Sequence, residues 1–149
     1  MRKICQPLSA SVIAVMFVAI SAAINSGAAD EEIDTAPAMA AAESWLAKVD
    51  AGGYAQSWKE ASTSFQQAVT PEKWEAMLGP VRGQTGNLIA RKMRSATYTR
   101  KLADAPDGEY VVSVFDSRFE KIPHAVETVT STKEPDGQWK VAGYLVKPN

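Results

Sequence analysis

The feature that most constrains the fold of this chain is a change of hydrophobic period near Arg91. Before it, apolar residues recur at helical spacing: Met39, Ala42, Leu46 and Val49 with Trp45 beside them, then Tyr54, Trp58 and Ala61, then Trp74, Met77, Leu78 and Val81. After it, four segments rich in strand formers follow: Met93 to Arg100, Tyr110 to Phe119, Ala125 to Thr132 and Trp139 to Val146. Three helices followed by four strands predict an α+β domain, the helices packed on one face of a curved, four-stranded antiparallel sheet. In the second strand Tyr110, Val112 and Val114 share one face while Val111, Phe115 and Phe119 share the other. With both faces apolar, one is expected to meet the helices. The other is expected to be partly covered, by a pocket or a partner chain.

The punctuation supports this order. Asp50-Ala-Gly52-Gly53 stops the first helix, because glycine takes a left-handed cap at little cost. Thr70-Pro71-Glu72 starts the third with a hydroxyl cap, a proline at the first helical position and an acid in the first turn. Gly79-Pro80 is expected to kink or end that helix, since proline lacks an N–H and crowds the preceding turn. The tripeptide Pro-Asp-Gly occurs at 106–108 and again at 135–137, each time between consecutive strands. Proline presets φ, aspartate bonds back to the backbone and glycine takes φ > 0, so both copies read as hairpin turns.

The first residues are of another kind. Met1-Arg2-Lys3 is basic, an apolar run is densest from Val12 to Ala23, and small residues follow in INSGAAD, Ile24 to Asp30. This pattern predicts a secretory signal peptide over 1–29, cleaved after Ala28 or Ala29, then a polar tether over 30–37 and a single domain over 38–149. The apolar run is short of the ~20 residues a membrane span needs. The single cysteine, Cys5, lies in the leader, so the exported chain is expected to carry no disulfide and no thiolate. Losing Arg2 and Lys3 leaves the 17 acids in excess over the remaining bases, which disfavours bulk attraction to nucleic acid. The expected location is the periplasm or the exterior.

Several motifs, in order, carry a resemblance: Trp45-Leu-Ala-Lys-Val-Asp50-Ala-Gly, Tyr54-Ala-x-Ser-Trp58, Ala105-Pro-Asp-Gly-Glu-Tyr-Val111, Glu127-Thr-Val-Thr130 and Gly137-Gln-Trp-Lys-Val-Ala-Gly-Tyr144. Together they resemble a family of small exported bacterial proteins, domain of unknown function four-thousand-nineteen, over nearly all of the chain after the tether. The resemblance implies a layout similar to the nuclear-transport-factor-two-like (cystatin-related) cone of helices wrapped by a bent sheet. It implies no activity and no catalytic residue, since that layout hosts isomerases, dehydratases and binding domains alike.

Few residues could carry chemistry. His124 is the only histidine, with Glu120 and Glu127 near in sequence, and could serve as a general base oriented by a carboxylate. The plainer reading is a solvated loop histidine. A zinc site built on it would need carboxylates for every other ligand, so no metal is expected. Asp116 interrupts an apolar strand on the face of Tyr110, Val112 and Val114; in a dry interior its pKa would rise and it could act as acid or base. Otherwise the strand simply meets water there. Lys92, Arg94, Arg100 and Tyr98 fall on one strand face by period two, a candidate anion-binding surface or else a charge-protected face. The tryptophans, Trp45, Trp58, Trp74 and Trp139, are expected in the core. No G-x-G-x-x-G, Walker A, G-x-S-x-G or H-E-x-x-H pattern occurs, so no cofactor is expected.

These observations favour a non-catalytic exported domain that binds an envelope protein or an anionic ligand, with a homodimer through the open sheet face as a further expectation. A deep closed pocket holding two facing titratable groups would count against a passive role. The alternatives are a small isomerase- or dehydratase-type enzyme using Asp116 or His124, and an anion-binding module using Arg94, Tyr98 and Arg100.

Overall fold

A computed structural model describes residues 33–149; the leader, its cleavage point and Cys5 lie outside the described residues. Helices α1 (Ala36–Asp50), α2 (Tyr54–Glu60), α3 (Thr63–Ala68) and α4 (Pro71–Thr85) precede strands β1 (Leu88–Thr99), β2 (Tyr110–Phe119), β3 (Ala125–Lys133) and β4 (Trp139–Pro148). The strands form one antiparallel sheet in the order β1-β2-β3-β4. The α+β class and the four strands match expectation; the helices number four, and α1 begins inside the expected tether. The unexpected helix, α3, has only six residues, too few to show a period. Its start is specified instead by Ser62, whose hydroxyl accepts from the Phe65 N–H.

Pro80 neither ends nor breaks α4, which continues to Thr85. The carbonyl left without a donor by Pro80 belongs to Ala76, which is exposed, so water can serve it. The helix stops instead at Gly86, where φ is +73°. A Cβ there would also lie 2.9 Å from the Glu120 carboxylate, which accepts the Asn87 N–H at 2.9 Å.

The two Pro-Asp-Gly tripeptides adopt different backbones. Around the second, Gly137 has φ +84°, its N–H reaches the Glu134 carbonyl at 2.8 Å, and the Asp136 carboxylate accepts the Gln138 N–H. That is the expected tight hairpin. The first lies in a ten-residue loop, 100–109, where Asp104 and not Gly108 takes positive φ. Gly108 is demanded by contact: a Cβ would lie 3.2 Å from the Tyr110 ring, whose hydroxyl bonds the Pro106 carbonyl at 2.7 Å.

Alternation along β2 decides the layering. Val111, Ser113, Phe115, Ser117 and Phe119 are buried toward the helices, while Val112 and Val114 on the other face are half-buried. The helical side is filled by Trp45, Phe65, Trp74 and Tyr144, with Phe65 and Trp74 meeting edge to face at 5.0 Å. Each such pair contributes roughly 0.5–1.5 kcal/mol beyond area burial. Trp58 packs against this cluster, and Trp139 is half-buried beside Lys133. Ser57, with no exposure, ties the indoles to α2: its carbonyl accepts from Trp45 Nε1 at 2.8 Å and its Oγ from Trp74 Nε1 at 3.0 Å. Ser57→Ala removes the acceptor and strands a buried indole N–H. We expect a loss of about 1–3 kcal/mol, measured by urea unfolding with an unchanged m value.

Candidate functional site

The inner face of the sheet contains an ionic ring. Glu127, on β3, has no solvent exposure. Its carboxylate accepts from Arg91 Nε at 2.7 Å and Nη2 at 3.0 Å, from Ser117 Oγ at 2.5 Å and from the Tyr144 hydroxyl at 2.6 Å. Arg91 turns its remaining edge to Asp50, at 2.7 and 3.0 Å. Arg82 lies 3.1 Å from Asp50, donates to the Tyr144 hydroxyl at 3.2 Å and sits 5.2 Å above the Phe119 ring. The sequence Asp50, Arg82, Tyr144, Glu127, Arg91 thus closes on Asp50. Two guanidinium charges balance two carboxylates. With Ser117, the group draws one residue each from α1, α4 and all four strands.

Burial disfavours a charged Arg91, but Asp50 and Glu127 outweigh it and hold the guanidinium above its ordinary pKa. Burial, and then the Glu127 charge, push the Tyr144 phenol well above its usual value of 10.0. Tyr144 and Glu127 are buried, touching, titratable groups; Glu127 has no solvent exposure, while Tyr144 borders cavities of about 590 and 30 Å³. Asp50 and Arg82 border a surface groove of about 410 Å³, and Arg91 and Ser117 border a shallower hollow of about 290 Å³.

An apolar cleft of about 590 Å³ lies on the opposite, outer face of the sheet, which only α3 reaches, at its edge. Its floor is built from cross-strand neighbours: Thr128 beside Leu145, Thr130 beside Gly143, and Thr132 beside Tyr110. One wall is α3, through Thr63, Ser64 and Gln67; the other is the 100–109 loop, through Leu102, Ala105 and Pro106. The Glu134 carboxylate takes the Thr63 N–H and hydroxyl at 3.1 and 2.9 Å, which staples the β3–β4 turn to α3 and closes that end.

The sequence candidates lie elsewhere. Asp116 is on the outer face, half exposed and ion-paired to Arg94. Arg94 therefore lowers its pKa, the reverse of the rise a dry interior would cause. His124 is exposed, and neither expected carboxylate orients it: Glu120 serves Asn87, and Glu127 belongs to the ring. Arg94 is an extra residue between the pairs Met93–Phe115 and Ser95–Val114. This bulge inverts the count, so Tyr98, opposite Val111, faces the helices and does not share the face of Lys92. Arg100 donates to the Tyr98 hydroxyl at 3.1 Å. The expected single basic face is therefore split by the bulge. The ring, by contrast, went unassigned, although Glu127 alternates with Ala125 and Val129 on a buried face.

The family model described as Protein of unknown function (DUF4019) matches residues 41–144, well over half of the chain. The chain belongs to this family. The match runs from α1 through Tyr144, so it contains every member of the ring. None of the curated proteins compared with this family member matches it.

Two tests address the ring. Arg91→Leu leaves Glu127 buried without its cation and should destabilise by about 3–5 kcal/mol, whereas Arg91→Leu combined with Glu127→Leu should lose clearly less than the sum of the single changes. Chemical denaturation of the four proteins reads this coupling. The second test is alkaline. An unfolded tyrosine releases its proton near pH 10 while Tyr144 in the fold keeps it, so the unfolded state binds fewer protons and stability falls as pH rises through 10. Tyr144→Phe should be less stable at pH 7 but lose less between pH 9.5 and 11, by up to about 1.4 kcal/mol per pH unit.

Proposed function

We propose that this family member is an exported, non-catalytic binding domain whose ligand, mainly apolar, occupies the cleft on the outer face of the sheet. The cleft itself carries the reading. Its volume falls within the roughly 300–1,000 Å³ usual for small-molecule sites, and its lining is mostly methyl, methylene and backbone with a few hydroxyls. Its charged members have other partners or stand at the rim: Glu134 holds Thr63, Lys133 faces Glu109 at 3.5 Å, and Asp104 is exposed. A binding role also fits the ring, whose carboxylates and guanidiniums neutralise one another and whose Glu127 no substrate atom can reach. The resemblance to the bent-sheet cone layout supports a ligand-holding domain without naming its ligand. The basic, apolar and small-residue order of residues 1–29 supports export.

The test uses a neutral, solvent-sensitive dye. Nile red should brighten and shift to the blue on the wild-type protein. A Cβ added at Gly143 meets Thr130 at only 3.7 Å, an ordinary contact, so Gly143→Leu grows from the floor into the cleft without a backbone clash. It should keep the native circular dichroism and abolish the dye signal. No dye response from wild type, or an equal response from folded Gly143→Leu, overturns the assignment of the cleft.

A further inference from the structure

The cleft has one closed end and one open end, and their charges differ. At the closed end stand the Glu134 turn and Asp104, with Lys133 drawn to Glu109 at 3.5 Å. Toward the open end, the row of paired residues beyond Thr128 and Leu145 is Lys92, Asp116, Val126 and Lys147, running across all four strands on the same face. On β3 and β4, which carry the floor, that row lies two residues along, roughly 7 Å away. One pairing step further, Arg118 opposes Ala90. Asp116, the one acid in this patch, is taken by Arg94. Lys92, Arg118 and Lys147 make no ion pair among the described residues. A shallow hollow of about 290 Å³ at these strand ends is bordered by Lys92, Asp116, Arg118 and His124, together with Arg91 and Asn149.

An apolar trough that opens directly onto unpaired cations matches a molecule with the complementary polarity. Resting on the cleft assignment above, we propose that the ligand is a single-chain amphiphile with an anionic headgroup. Its chain lies over Thr130, Gly143 and Leu145, and its headgroup lies among Lys92, Lys147 and Arg118. The acids at the closed end repel a headgroup placed the other way round, so the two ends together fix one orientation. The trough shelters one chain, which selects a monomeric amphiphile over the surface of a bilayer. The ion pairs are solvent-exposed, so the headgroup part of the affinity weakens with salt while the chain part does not.

Displacement of Nile red tests this, with probes sharing one chain and kept below their critical micelle concentrations: dodecyl phosphate, dodecyl maltoside and dodecyltrimethylammonium. Dodecyl phosphate should compete at least tenfold more tightly than the maltoside, and the cation should compete worst. K92E/K147E should remove most of the dodecyl phosphate preference, leave the maltoside within about twofold and leave Nile red itself bound. Raising salt from 50 to 500 mM should narrow the gap between the first two probes. Equal competition by all three heads, or a phosphate preference that survives both K92E/K147E and salt, overturns the headgroup site while the cleft stands. Failure of Nile red to bind wild type overturns the cleft first. Capture by vesicles rich in phosphatidylglycerol without displacement by monomeric dodecyl phosphate overturns the single-chain ligand in favour of a membrane surface.

Discussion

A carboxylate with no contact to water must recover its lost hydration from the protein, and in this fold that requirement falls on Glu127. Two nitrogens of Arg91, a serine and a tyrosine hydroxyl surround it. Arg91 is itself largely buried, so it needs Asp50, and Asp50 at the end of α1 also draws in Arg82 from α4. Each charge is tolerable because the next is in place. Such a group is weak as a source of net stability, since removing four charges from water costs about as much as their attraction returns. Its influence is on uniqueness: helix ends and strand registers that fail to close the ring leave a bare charge inside the core.

The sheet separates two chemistries that would interfere with each other on one face. On the helical side, Trp45, Phe65, Trp74 and Tyr144 are packed into one aromatic core. On the other side, Thr128, Thr130 and Thr132 alternate along β3 with the buried Glu127, Val129 and Ser131, offering methyls and hydroxyls with little bulk. The outer face becomes a cleft only because two irregular pieces rise beside it. One is α3, carried to the free edge of β4 by the Ser62 N–H bonded to the Val141 carbonyl at 2.8 Å. The other is the 100–109 loop, anchored by Tyr110 lying over Gly108.

Much of this was legible from residue order, and the failures have specific causes. The bounds of β2 follow from its run of strand formers, but its facing did not, because Tyr110, Val112 and Val114 on one face are as apolar as Val111, Phe115 and Phe119 on the other. Helix α3 is too short for periodicity, and Pro80 was tolerated because its orphaned carbonyl faces water. The bulge at Arg94 is invisible to a period-two count and moved Tyr98 to the opposite face. The two Pro-Asp-Gly copies diverged because the same local preferences serve a two-strand turn in one place and a ring contact in the other. The ring could have been suspected from Glu127, a carboxylate in phase with Ala125 and Val129. Its partners could not, because Asp50, Arg82 and Arg91 meet it only through tertiary structure.

The ring and the cleft, though on opposite faces, are set by one register. Glu127 precedes Thr128 and Tyr144 precedes Leu145, so these two ring residues each have a cleft residue as chain neighbour. A slip of β3 by a single residue would carry Thr128 into the core and Glu127 onto the cleft floor. In β3, whose outer face is Val126, Thr128, Thr130 and Thr132, hydrophobic pattern alone resists such slips weakly, because those residues are acceptable on either side. The ionic ring supplies the missing discrimination, since only one register places a carboxylate against Arg91 and Tyr144. The bulge between Thr130 and Ser131 then lets β4 rejoin the β3–β4 turn without disturbing that alignment. On this account the buried charges are what allow the opposite face to be built from small, weakly specifying residues, and that composition is what leaves the trough open.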